Sequence, residues 1–105
     1  MHIHYSNIKW DVIVFTETNL KDDEVQLYNM DDYDKISVCR QKSRGGGILI
    51  FIKKNKFNNV KYEINKLDVN DIIKITMEMN SEVFNLVAIY RKPSSSRLQF
   101  LKELQ

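Results

Sequence analysis

Along most of this chain apolar and polar residues either alternate or gather into short apolar runs, the two signatures of β-strands. The stretch around which the rest is organised is 11–20, DVIVFTETNL. Val12 to Phe15 are continuously apolar and then give way at once to Thr16-Glu17-Thr18-Asn19. This pattern predicts a strand over 12–16, buried on both faces. Such a strand delivers Glu17 where the backbone leaves the sheet, and a carboxylate on a rigid strand end suits a hard cation such as Mg²⁺. By itself a glutamate in this position is more often a solvated strand-end charge.

Residues 21–25 read as a surface turn or a single helical turn, with carboxylates at its start. The acidic segment 29–34 lacks the glycine and closing glutamate of an EF-hand, so Asp31, Asp32 and Asp34 read as a solvated loop. Ile36 and Val38 alternate with Ser37 and Cys39, predicting a strand over 35–40; a second apolar run predicts one over 48–53. Between them lie all three glycines of the chain, at 45–47. Their clustering calls for positive φ or a very close approach by another segment, and predicts an antiparallel hairpin. A phosphate-binding P-loop is excluded, because no Gly-Lys-Ser/Thr follows and the next element is a strand.

Further strands are expected over 59–64, 72–79 and 83–90. The last is nearly continuously hydrophobic and therefore expected to be central and buried. Pro93 marks a loop. Leu98, Leu101 and Leu104 then predict a C-terminal helix from about Ser95, capped by Ser94 or Ser95.

Composition adds bounds. The 105 residues allow one domain, and 43% hydrophobic with 29% charged residues is ordinary for a globular chain. A net charge of +2 is too small to indicate a nucleic-acid partner. Cys39 is the single cysteine, so there is no internal disulfide, and a reducing compartment is expected. No stretch is long and apolar enough to span a membrane, and the N-terminus lacks the pattern of a signal peptide. The expectation is an intracellular soluble protein. His2 and His4 would share a strand face, but with no further histidine they read as exposed terminal residues rather than a metal site.

Three segments carry a resemblance. FTETNL (15–20), RGGGILIFIKK (44–54) and VAIYRKPSSS (87–96) resemble, in order and spacing, the endonuclease domain of non-LTR retrotransposons of the LINE and jockey-like type. That domain belongs to the endonuclease/exonuclease/phosphatase superfamily, with apurinic endonucleases and DNase I. The resemblance implies an α/β, DNase I-like sandwich, mostly antiparallel with a C-terminal helix. It also implies Mg²⁺ as cofactor, DNA as partner and a nuclear location. The family's metal-binding glutamate maps onto Glu17, and its active-site tyrosine near the scissile phosphate maps onto Tyr90. Arg44 and Arg91, within the matched segments, are candidate DNA contacts.

The departures are specific. Asn19 stands where the family commonly has Trp, and Lys92 where it has the first of two prolines. Only ten residues precede Asp11, without room for the family's first helix. The chain ends at FLKELQ, before a GDFN-like Asp/Asn pair and before a Ser-Asp-His carrying the general base. The expectation is thus a single partial domain over 1–105, truncated at both ends. Loss of a positioned general base costs about 10²–10⁴ in rate, so the fragment is expected to be inactive alone. Two alternatives stand beside it. One is a non-catalytic nucleic-acid-binding module using Lys42, Arg44, Lys53, Lys54, Lys56 and Arg91. The other is a fragment of a superfamily phosphatase.

Overall fold

The computed structural model describes residues 2–3, 10–39, 46–66, 70–91, 98 and 101–102. Two three-stranded sheets dominate it. In the first, β5 (Ile48–Lys53) lies between β2 (Val12–Thr16) and β4 (Tyr33–Val38), antiparallel to both. In the second, β7 (Asn70–Met79) lies between β6 (Asn58–Lys66) and β8 (Glu82–Arg91), again antiparallel throughout. A short parallel pair, β1 (His2–Ile3) with β3 (Asn29–Met30), and one helical turn, α1 (Asp22–Val25), complete the elements.

The layers meet through alternate residues. Ile36 and Val38 of β4 and Ile48, Ile50 and Ile52 of β5 pack with Ile73, Ile75 and Met77 of β7 and Ala88 and Tyr90 of β8. The period-two pattern of β7 is what makes this work: Ile73 and Ile75 are fully buried while Lys74 and Thr76 are exposed. Every apolar residue of β5 is buried, because its other face meets a second cluster. There Leu49 and Phe51 pack with Met30 and Tyr33, and with half-buried Ile13, Leu20 and Tyr28.

The α/β, DNase I-like sandwich does not form; the chain is mostly antiparallel β with no long helix. Among the described residues helix is confined to α1, Leu98 and 101–102, and the rest of the expected C-terminal helix lies outside them. The connections explain the outcome. A parallel crossover takes a dozen or more residues, usually a helix, whereas a short loop joins antiparallel neighbours. Here β7 and β8 are joined by Asn80-Ser81, both at positive φ (52° and 66°), as in a type I′ hairpin turn. The loops between β4 and β5, β5 and β6, and β6 and β7 are likewise too short for a crossover helix.

Two positions within the sheets also differ from expectation. β2 is an edge strand, with Val14 and Phe15 about 40% exposed (40% and 42%), and the doubly buried strand is β5. β8 is an edge too, with Val83, Phe84 and Val87 exposed, and β7 takes the centre. The acidic segment 29–34 is no simple loop, since it contains β3, a turn at 31–32 and the start of β4. The six predicted strands fall within two residues of their expected bounds, while β1 and β3 are additional. Val38 faces Ile48 across the glycine segment, as the hairpin requires.

Candidate functional site

The site is built where β2 ends. Past Thr16 the backbone leaves the ladder and turns left-handed at Glu17 (φ 53°) and Asn19 (φ 56°). That conformation costs an L-residue roughly 1–2 kcal/mol, so something must hold it. The holder is the glycine segment. The Asn19 N–H donates to the Gly46 carbonyl at 3.0 Å, and the Thr18 N–H to the Gly47 carbonyl at 3.4 Å.

Both requirements inferred from the clustered glycines are met in this contact. Gly46 and Gly47 have positive φ (83° and 90°). A Cβ on Gly47 would stand 2.5 Å from Thr18 Oγ1, inside any real contact distance. The two segments that carry most of the resemblance therefore form one structural unit, a strand end cradled by glycine backbone.

Glu17 is exposed and lines an open cavity of about 310 Å³ with Thr16, Thr18, Leu20, Tyr28 and the outer-face residues Phe15, Leu49 and Phe51. Phe15 and Phe51 meet edge to face, their ring centroids 6.2 Å apart, a favourable aromatic geometry. On the far side the segment after the site is tied down by Lys35. Its ammonium donates to the carbonyls of Val25 (2.8 Å) and Tyr28 (3.0 Å) and to Asn29 Oδ1 (3.0 Å). The start of α1 is closed by Glu24, whose Oε1 accepts the Lys21 N–H at 3.1 Å, half of a capping box.

Tyr90 is placed differently. It lies near the end of β8, 6% exposed, among the residues between the sheets, and the cavity lined by Glu17 does not include it. The register sets Tyr90 opposite Asp71, which is fully buried. Nothing in the sequence marks Asp71 as buried, since a carboxylate at the head of an apolar strand reads as a boundary residue. Arg91 is half-buried at the end of β8 opposite Asn70. Arg44 and Lys42 lie outside the described residues, as does the side chain of His2, and with it any shared face with His4.

A second phenol has a clear environment. Tyr33 is buried and donates its O–H to the Trp10 carbonyl. Burial pushes its pKa up, and the carboxylates of Asp11 and Asp32 add to the shift.

Among the described residues no three His, Cys, Asp or Glu side chains are assembled to hold a metal ion. A cation at the strand end would take one carboxylate, that of Glu17. Mg²⁺ accepts this donor set, since it keeps several waters and is commonly bound by one or two carboxylates plus substrate phosphate. No helix among the described residues is long and apolar enough to cross a membrane, and Cys39 is buried and not part of a disulfide.

Compared with models of protein families, with curated proteins and with solved structures, the chain matches none.

Proposed function

We propose that this chain is part of a Mg²⁺-dependent DNA endonuclease of the non-LTR retrotransposon type, with Glu17 as a metal ligand. The observation that supports this reading best is the cradle. A left-handed glutamate is strained, and strain of this kind persists where the surroundings over-determine it, typically at functional sites. Gly46 and Gly47 supply that constraint by fixing the backbone of Thr18 and Asn19, while the Glu17 side chain stays exposed.

The chain's own share of the chemistry is positioning. β2 and the glycines fix the backbone from which the Glu17 carboxylate projects, so little ordering remains when a cation arrives. When bound, Mg²⁺ would polarise a phosphate oxygen of the DNA backbone. On this reading the acid–base group and the further ligands come from residues beyond these 105, and the chain alone hydrolyses no DNA.

The test is nicking of supercoiled DNA in Mg²⁺, with this chain and with a version extended through its downstream reading frame. The extended protein is expected to nick and the chain alone is not. Glu17→Gln in the extended protein should lower the rate by about 10²–10³, as for loss of one preorganised electrostatic group. Nicking indifferent to that substitution would overturn the assignment.

A further inference from the structure

Among the described residues, the second sheet has an edge strand, β6, with no strand on its outer side. β6 pairs only with β7 among the described strands. The register sets Tyr62 beside Ile75 and Ile64 beside Ile73, and paired residues point to the same face of a sheet. Ile73 and Ile75 are buried between the layers, yet Tyr62 is 57% exposed, Ile64 38% and neighbouring Val60 40%. The core-facing side of β6 thus extends beyond the cover of the opposing sheet.

Proteins usually protect such an edge with proline, charged side chains, a bulge or a covering segment, and β6 carries Lys61 and Glu63. β6 has no proline, and its core-facing positions Tyr62 and Ile64 are apolar. Its one irregularity lies between Asn58 and Lys61, near one end. From Lys61 onward the strand is regular, with Lys61 and Glu63 on the outer face flanking Tyr62.

We propose that two copies of this chain pair antiparallel through β6, about a two-fold axis at Tyr62. The strand's own charges select this arrangement. With Tyr62 facing itself, Lys61 of each copy lies opposite Glu63 of the other, in two symmetric pairs. Sliding the strands by two residues in either direction places Lys61 against Lys61 or Glu63 against Glu63. Directly opposed unlike charges stabilise an antiparallel pair and like charges destabilise it. A contact in which each copy presents the same patch closes on itself, giving a dimer. The two sheets become one six-stranded sheet, and the apolar patch of Val60, Tyr62 and Ile64 becomes continuous across the axis. This edge belongs to a different sheet from the strand end that carries Glu17.

Charge reversal tests both the surface and its register. By sedimentation over a range of concentrations, the unaltered chain should show a monomer–dimer equilibrium. Lys61→Glu alone sets carboxylate against carboxylate twice and should weaken the dimer by roughly tenfold or more; Glu63→Lys alone should do the same with ammonium groups. Mixing the two variants creates two attractive pairs and should restore association as a heterodimer, which misfolded variants would not do. In a Cys39→Ser background, Tyr62→Cys should oxidise to a disulfide-linked dimer, because facing residues of an antiparallel pair lie within disulfide reach. A chain that stays monomeric at every concentration would overturn the proposal. So would a dimer that ignores both charge reversals and does not cross-link at position 62.

Discussion

Among the described residues, the β2–β5–β4 sheet is covered on both sides, whereas the β6–β7–β8 sheet is covered on one. The outer face of the first sheet carries Met30, Tyr33, Leu49 and Phe51 beneath the segment from the end of β2 to β3. The outer face of the second presents Lys61, Glu63, Lys74, Thr76 and Asn85 to solvent, tied by local contacts such as the 3.0 Å hydrogen bond from Thr76 to Asn85. Both sheets feed the same inner layer. The polar anchors around the strand end, namely the glycine cradle, the Lys35 staple and the buried Tyr33 hydroxyl, belong to the first sheet, while the second buries its own polar pair, Asn70 and Asp71, at the start of β7. A glutamate with left-handed backbone is thus found beside the first sheet, and the strand edge without a described neighbour belongs to the second.

The largest way to break this contrast is at the cradle. Gly47→Val is expected to destabilise by about 2–4 kcal/mol, combining the left-handed penalty with overpacking against Thr18. Chemical denaturation would measure it. A midpoint within error of the unaltered chain would show that the cradle holds nothing.

Lys35 comes next. Lys35→Met keeps much of the stem but leaves the carbonyls of Val25 and Tyr28 without the ammonium. A loss of about 1.5–3 kcal/mol is expected from hydrogen bonds to a charged group. Amide exchange should quicken across residues 22–30 while β7 stays protected. Uniform acceleration of both sheets would contradict the separation drawn between them.

Tyr33→Phe is the smallest of the three and carries a pH signature. It removes one hydrogen bond, about 0.5–1.5 kcal/mol at neutral pH. The folded phenol titrates above its ordinary value of 10.0, so folding favours the protonated form. That contribution is fully present below the unfolded pKa and is lost as pH rises through the folded one. The gap between Tyr33→Phe and the unaltered chain should therefore shrink above about pH 10. A gap constant through that range would remove Tyr33 as the titrating group.

Local pattern reached the elements but not their neighbours. Alternation in Ile73, Ile75 and Met77 located β7 and its buried face, because period two is a property of the strand itself. The glycines at 46 and 47 announced positive φ or close approach, and both occur. What the pattern missed depends on segments distant in the chain. The runs VIVF and ILIFI look alike, yet the first is an edge and the second a centre, since strand order is set by non-local pairing. The α/β architecture is what the resemblance implies; the residues themselves offer helical periodicity only at Leu98, Leu101 and Leu104, and from β4 to β8 the loops are too short for a crossover helix. Within the candidate site, Glu17 was legible as a carboxylate at the end of an apolar run. Its partnership with Gly46 and Gly47 was not, nor was the burial of Asp71 beside Tyr90, because both depend on register between separated segments.

The central claim is that the cradled strand end presents Glu17 to a divalent cation. The most direct measurement is amide NMR of the chain titrated with Mn²⁺ as a paramagnetic substitute for Mg²⁺, with Mg²⁺ added as competitor. Selective broadening at residues 16–19 and 46–47, reversed by Mg²⁺ and abolished in a folded Glu17→Gln variant, is the result expected. Broadening spread evenly over the surface carboxylates, or unchanged by Glu17→Gln, would contradict the claim.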